Sequence, residues 1–442
     1  MISVSYSIPR GNTAMPCQTI RKLPALAGVL SAACMFFSLP CAAQVCNPRN
    51  FGAKGDGMAK DTAALQHAID VCAARGGGTV RLTAGTYLSA PIVLRSNITL
   101  KLDKGATLLG SADHADYRPK TEFRLPALEP LVSATNAVNV AITGKGVIDG
   151  QGESWWQMAR AVTNAGVMGN AHPRPRLVVF DHCRNVRVEG VTLQNSPFWQ
   201  LVPYYSYNVL IRNVRILAPE HSPNTDAVDP FSSSNVRIEH LYADVGDDDI
   251  AIKSGAINSA GGDEPARDIV ISDCTFLHGH GLSIGSEIAG GARDIMVQRV
   301  RFEGTDNGLR IKANRDRGND VSGIVFRDIV MKNVKNPLVI SEYYPRILPA
   351  AGDTAPQPVT RLTPHFHNIV VENVTATGGE MAGAIVGLPE SPVSDVVLRN
   401  VHLSGKTGLS IGFAHVTGQN VKVEAGEGEA ILRLEGASVT LR

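Results

Sequence analysis

From Thr79 onward the chain repeats one short device, an Asn or Asp followed by a few β-favouring residues in which every second side chain is apolar. It occurs as Asn139-Val140-Ala141-Ile142, Asn185-Val186-Arg187-Val188, Asn208-Val209-Leu210-Ile211 and Asn235-Val236-Arg237-Ile238. It continues as Asp268-Ile269-Val270-Ile271, Asp294-Ile295-Met296-Val297, Asn368-Ile369-Val370-Val371, Asp395-Val396-Val397-Leu398 and Asn420-Val421-Lys422-Val423. The spacings are mostly about 23 to 33 residues, within the range of solenoid coils. One such unit cannot bury its apolar face alone, so stacked neighbours must build the core. Asparagine suits the corners because its amide bonds nearby backbone and tolerates left-handed φ. The expected architecture is all-β, a single-stranded right-handed parallel β-helix. Leucine-rich repeats and propellers fit poorly, since neither a leucine template nor regular blades recur. One helix is expected before the coils: Asp61 caps it, Leu65, Ile69 and Cys72 form its apolar face, and Gly76-Gly77-Gly78 ends it. It would close the N-terminal end of the solenoid. No linker divides residues 44–442, which read as a single domain.

Residues 1–43 read as an export signal. Arg21 and Lys22 precede an apolar run from Leu23 to Leu39, and Ala42-Ala43 supply small residues for cleavage before Gln44. Translation could begin at Met1 or Met15. Gly28, Ser31 and Pro40 interrupt the run and argue against a membrane anchor, and Cys34 is not read as a lipid site because the apolar run continues past it. The expected product is exported, secreted or periplasmic, with no stable membrane insertion. Outside the leader four cysteines remain, Cys46, Cys72, Cys183 and Cys274. A Cys46–Cys72 bridge would pin the new N-terminus to the helix, and no cysteine spacing suggests zinc. A net charge of +1 without a basic stripe argues against a nucleic-acid partner. A monomer is expected.

Four polar elements stand at intervals of about one coil: Asn224-Thr225-Asp226, Gly246-Asp247-Asp248, Gly279-His280-Gly281 and Arg310-Ile311-Lys312. Asn224 and Asp226 lie two apart, as do Arg310 and Lys312 around an inward Ile311, so parity puts each pair on one outer face. Taken singly these are a turn, an acidic turn or calcium loop, a glycine loop and a solvated strand. Asp249 extends the acidic element to three adjacent carboxylates, whose burial costs several kcal/mol each unless protons, cations or hydrogen bonds compensate.

Together the four elements resemble the signature of glycoside hydrolase family 28, the polygalacturonase family. Asn50 to Gly57, Gly150-Gln151-Gly152 with Trp155-Trp156, Asn195-Ser196-Pro197-Phe198-Trp199, Gly246 to Gly255 and His280 to Ser286 extend the likeness over nearly the whole mature chain. The resemblance implies hydrolysis of α-1,4-galacturonosyl bonds in pectin or polygalacturonate with inversion, and neither cofactor nor metal. It implies Asp247 as general acid, Asp226 and Asp248 as the pair that activates water, and His280 as support for the acid's protonation. Arg310 and Lys312 would bind substrate carboxylates, with Asn224 beside them. The family's tyrosine falls by register on Tyr344, with Tyr343 adjacent.

General chemistry agrees with those roles. Inversion needs a protonated carboxyl at the leaving oxygen and a carboxylate on the opposite side, and clustered carboxylates raise one another's pKa. Asp249 stands where the family commonly has cysteine, which adds a third negative charge. Strict alternation with Ile250 and Ile252 inward turns Asp247 and Asp249 outward and Asp248 inward. The assignment therefore requires a bend or bulge near Gly246-Asp247-Asp248. A calcium-dependent lyase, a rhamnogalacturonan hydrolase and a non-enzymatic carbohydrate binder are the competing readings. Endo and exo action depend on cleft walls, for which the Pro-rich stretch Arg346 to Pro364 is a candidate. The sequence leans slightly towards endo.

Overall fold

The computed structural model describes residues 44–122, 125–164, 172–259 and 262–442. The export signal read at 1–43 lies outside them. Among the described residues no helix is long and apolar enough to cross a membrane.

The chain winds as a right-handed parallel β-helix. Its first ladder stacks Ile98–Leu102, Val138–Gly144, Arg184–Glu189, Tyr207–Arg212, Ser234–Glu239 and Ala266–Ser272, and runs on through the longer strands that start at Ala292, Asp320, His365 and Val393. A second ladder follows one corner later in each coil, as in Thr192–Gln194, Arg215–Leu217, Tyr242–Asp244 and Thr275–Leu277. The third ladder carries Val178–Asp181, Leu201–Tyr204, bridges at Val228 and Phe231, then Ile250–Ile252, Leu282–Ile284, Asn307–Lys312 and Asn336–Ser341.

Register explains the core. Val186, Val209, Val236, Ile269, Ile295, Ile324, Ile369 and Val396 are successive partners in the first ladder, and all are buried. Burying each contributes about 1.5–3 kcal/mol, and β-branched side chains pack well on a pleated surface.

The corner asparagines behave as the repeat predicts. Asn97, Asn139, Asn185, Asn208 and Asn235 all take left-handed φ between 53° and 61°. Each amide donates to the one below: Asn139 to Asn97 at 2.9 Å, Asn185 to Asn139 at 2.8 Å, Asn208 to Asn185 at 2.7 Å and Asn235 to Asn208 at 3.2 Å. An amide both donates and accepts, so only Asn or Gln propagates such a row. One member of the series is reassigned. Asn420 bonds to Asn400 at 3.0 Å, and Asn400 to Asn373 at 3.0 Å, so it belongs to a second corner row.

The expected helix is α1, Thr62–Ala74, with Leu65, Ala68, Ile69 and Cys72 buried, and a disulfide joins Cys46 to Cys72. Asp61 precedes it without capping it. Its carboxylate accepts instead from the backbone N–H of Lys54 at 2.6 Å and Gly55 at 2.9 Å, which ties down the preceding turn. A second helix, α2 (Glu153–Asn164), was not expected. Its anchors are the buried Trp155 and Trp156, and the Trp156 indole donates to the Ser196 carbonyl at 2.9 Å.

Candidate active site

The third ladder brings the four polar elements together. Within its strands the alternation is regular: Leu282, Ile284, Leu309 and Ile311 are buried in the core, while Ser283, Arg310 and Lys312 project from the opposite face. Ser283 lies beside Arg310 in register, and the Arg310 Nε donates to the Ser283 Oγ at 2.9 Å.

The required irregularity is present. Regular strand begins only at Ile250, and Gly246 to Asp249 form bends at the corner before it. This frees Asp248 from strand parity. Its Oδ1 accepts from the Arg310 Nη2 at 2.6 Å and the Ser283 Oγ at 2.9 Å, and its Oδ2 accepts from the Lys312 Nζ at 2.8 Å. Burial opposes its charge, yet Lys312, Arg310 and His280 overcome that and hold its pKa far below the carboxylate range.

Asp249 departs from the parity expectation, being fully buried rather than outward. One oxygen accepts from the Gly281 N–H at 3.2 Å, and the other has no hydrogen-bond partner. Burial, then repulsion from Asp248, lift its pKa well above normal. Both effects favour the uncharged form of Asp249 over a third negative charge. Asp249→Asn preserves its shape and uncharged state and is expected to cost no more than about 1 kcal/mol with turnover retained. Loss of hydrolysis in that variant would show that Asp249 takes part in the chemistry.

Asp247 and His280 form a pair. The His280 Nδ1 lies 3.0 Å from the Asp247 Oδ1, which also accepts the Asp248 N–H at 2.8 Å. The His280 Nε2 stands 3.4 Å from Asp306. Burial works against charge on both partners, but their mutual bond prevails: the histidine pKa lies above its ordinary value and that of Asp247 below. Each group thus favours the charged form of the other.

Asp226 is buried, and its Oδ2 lies 3.8 Å from the Lys253 Nζ. Burial, then the charges of Asp247 and Asp229, push its pKa well up. Asn224 sits at left-handed φ 56°, donates to Asp247 at 3.4 Å and accepts from the Arg174 Nη2 at 2.6 Å. Tyr344 reaches the site, with the Lys312 Nζ 5.3 Å from its ring centre. Tyr343 instead packs into a separate cluster with Ala384, Val386 and Leu388. Ile347 and Leu348, from the stretch read as a cleft wall, pack against that same cluster.

Several site residues escaped the sequence reading. Lys253 is the centre of a buried group: its Nζ lies 3.2 Å from Glu287, 3.7 Å from Asp229 and 4.7 Å from the Trp199 ring centre. Parity held the signal, since Ile250 and Ile252 point inward and Lys253 must point out, as Arg310 and Lys312 do. Arg174 had no such signal. It precedes the strand and is fixed by the carbonyls of Pro197 at 3.0 Å and Pro223 at 2.9 Å.

The buried acids couple stability to pH. Burial raises Asp229 from 3.8 to about 7, so its contribution is complete below 3.8 and is lost as pH rises through about 7. Glu287 is lowered from 4.5 to about 2, burial opposing and Lys253 prevailing; its contribution holds above 4.5 and is lost as pH falls through about 2. The thermal midpoint is accordingly expected to peak in weak acid. Asp229→Asn should flatten the neutral limb, and an unchanged limb in that variant would assign the fall to other groups.

Asp247, Asp248 and His280 place ligand atoms within 4.8 Å of one another, a spacing a cation could bridge. Two cations and a hydroxyl already take up the oxygens of Asp248, so a divalent ion would have to displace Lys312 and Arg310. The donor set fits a metal poorly.

The comparisons agree with this geometry. The family model described as glycosyl hydrolases family 28 matches residues 72–425. A probable polygalacturonase from Vitis vinifera is 32% identical over 406 residues, covering 86% of this chain and 78% of that protein. An endo-polygalacturonase from Pectobacterium carotovorum subsp. carotovorum is 34% identical over 300 residues, 64% of this chain and 72% of its own length. Among solved structures, a hyperthermoactive exopolygalacturonase from Thermotoga maritima matches with TM-score 0.74 and 30% identity, over 88% of this chain and 93% of that one. A parallel β-helix that stacks a carboxylate cluster, a histidine and paired cations on one ladder thus coincides with a family match over most of the chain: the protein belongs to the glycosyl hydrolases family 28 and is a glycoside hydrolase.

Proposed function

We propose that this hydrolase is a polygalacturonase that cleaves α-1,4-D-galacturonosyl linkages in pectin or polygalacturonate with inversion at the anomeric carbon. The observation that carries the proposal is the clustering of Asp226, Asp247 and Asp248 with Arg310, Lys312 and His280 on one ladder. Arg310 and Lys312 together carry one more positive charge than Asp248 offsets, and a galacturonate brings a carboxylate to each residue of the chain. Arg310 offers a planar fork to such a group and Lys312 a compact charge, with Asn224 and Tyr344 as flanking contacts. The names of the relatives point to the same substrate.

In the proposed reaction Asp247 protonates the leaving glycosidic oxygen, and Asp226 with Asp248 orients and deprotonates the attacking water. The 3.0 Å bond between His280 and Asp247 is the path by which the acid is supplied with its proton. Asp226 must lose its own proton to act as base. Activity should therefore rise with pH as Asp226 ionises and fall as the His280–Asp247 pair gives up its proton, a bell-shaped dependence. His280→Asn is expected to move the alkaline limb of kcat/KM. An unmoved limb would remove His280 from proton supply.

Export belongs to the proposal as well, supported by the leader at 1–43 and by a disulfide suited to an oxidising compartment. The direct test is release of reducing ends from polygalacturonate. Hydrolysis should persist in chelator and produce no unsaturated, ultraviolet-absorbing ends. Chelator-sensitive release of such ends would make the protein a lyase, and no release would make it a binder. Product sizes over time separate internal attack, which yields mixed oligomers first, from terminal attack, which yields monogalacturonate throughout.

A further inference from the structure

A second group of metal-ligating side chains lies on the first ladder, on residues to which the proposed reaction gives no part. Asp320 begins the strand Asp320–Lys332, and His365 begins the neighbouring strand His365–Val386, directly opposite it. His365 and His367 are two apart around a fully buried Phe366, so both imidazoles project from the same outer face. Val321, buried beside Asp320, puts that carboxylate on this face too. The His367 Nε2 lies 2.8 Å from the Asp320 Oδ1, and the His365 Nδ1 lies 3.4 Å from the same oxygen. The two rings stack at 4.4 Å, and the three ligand atoms fall within 4.8 Å of one another. The remaining Asp320 oxygen accepts from the Ser322 Oγ at 2.8 Å, which fixes the carboxylate's orientation.

We propose that Asp320, His365 and His367 form a surface site for one divalent ion of the zinc class, with water completing a tetrahedral shell. Zinc bonds to imidazole nitrogen and carboxylate oxygen at about 2.0–2.2 Å, and ligands at that distance stand a little over 3 Å apart around a tetrahedron, close to the spacing here. A single ion would take one lone pair from each stacked imidazole and one from the carboxylate, joining the three residues at one point. A hydrogen bond to a ligating carboxylate, as from Ser322, is the outer-shell support such sites use. Two imidazoles with one carboxylate favour zinc over calcium or magnesium, which prefer all-oxygen shells.

The ion would have a mechanical role. His365 is the first strand residue after the Pro-rich excursion, and its N–H donates to the Asn319 carbonyl at 3.0 Å. The Gly318 N–H reaches back to the Leu362 carbonyl at 2.9 Å. From the same excursion, Arg361 donates to the carbonyls of Ser259 and Ala289. A metal bridging Asp320 and His365 would clamp the excursion's return to the preceding coil.

The test is calorimetric titration of zinc chloride into the chelator-stripped, dialysed chain without a polyhistidine tag, followed by thermal unfolding. We expect one zinc per chain and a raised thermal midpoint, since an ion that binds only the folded state stabilises it. His367→Ala should weaken binding by roughly tenfold or more while hydrolysis continues unchanged. Asp320→Asn supplies the same reading if His367→Ala does not fold. Cobalt in place of zinc should show the visible absorption of a tetrahedral site, lost in either variant. Absence of binding at micromolar zinc would overturn the proposal. Undiminished binding in both variants would do so too, because the ion would then lie elsewhere, as at Asp247, Asp248 and His280.

Discussion

Asp247→Asn is expected to lower kcat on polygalacturonate by about 10²–10⁴-fold, the usual worth of a positioned general acid, with little change in the thermal midpoint. The substitution is nearly isosteric. An amide oxygen still accepts the Asp248 N–H and still faces His280, so the corner keeps its geometry. The side chain is 20% exposed, and removing its charge leaves no buried cation stranded, because His280 can release its proton to solvent. What is lost, under the proposed mechanism, is the acid itself. An amide carries no transferable proton, so the leaving sugar would depart as an alkoxide. Assays of the variant should show near-native substrate affinity by inhibition or calorimetry alongside collapsed turnover. Near-native hydrolysis would mean that the proton comes from another group, and the raised pKa of Asp226 would make it the first alternative.

Lys253→Met should have the largest effect on stability, about 3–5 kcal/mol, as expected when one partner of a buried ionic group is removed. Methionine keeps the length of the lysine stem and its packing against Trp199, so the change isolates the charge. It leaves Asp226, Asp229 and Glu287 facing one another without the cation that lies within 3.8 Å of all three. The loss should depend on pH. Asp229, already raised to about 7 with Lys253 opposing that rise, would move higher still without it. Near pH 4, below the raised pKa of Asp229, the deficit should shrink, while above about pH 7 Asp229 is forced towards ionisation and it should be full. Urea unfolding of the variant and the parent at the two pH values measures this. Equal losses at both would show that Lys253 contributes packing rather than charge.

How far the sequence reveals this molecule follows from what kind of information each feature needs. The coils were legible because a stacked strand must place an apolar residue at every second position, and an Asn row must recur at each corner. Both requirements leave a local, periodic trace. The four site elements were legible for a related reason: one-coil spacing becomes adjacency once coils stack, so Asp226, Asp247, His280 and Arg310 meet although far apart in sequence. Helix α2 left a weaker trace, two tryptophans in an excursion where the period breaks. The protonation pattern was not legible at all. Three adjacent aspartates look equivalent in sequence, yet Asp247 is governed by His280, Asp248 by Lys312 and Arg310, and Asp249 by burial. Those partners come from other coils, and only the corner bend at Gly246 to Asp249 decides which carboxylate meets which cation.

Inverting hydrolysis of galacturonans is read out by proton NMR of a galacturonate oligosaccharide during the first minutes of digestion. Direct displacement by water at an α-linkage predicts that the new reducing end appears as the β-anomer and only later mutarotates towards the equilibrium mixture. First appearance of the α-anomer, or of an unsaturated end, would contradict it.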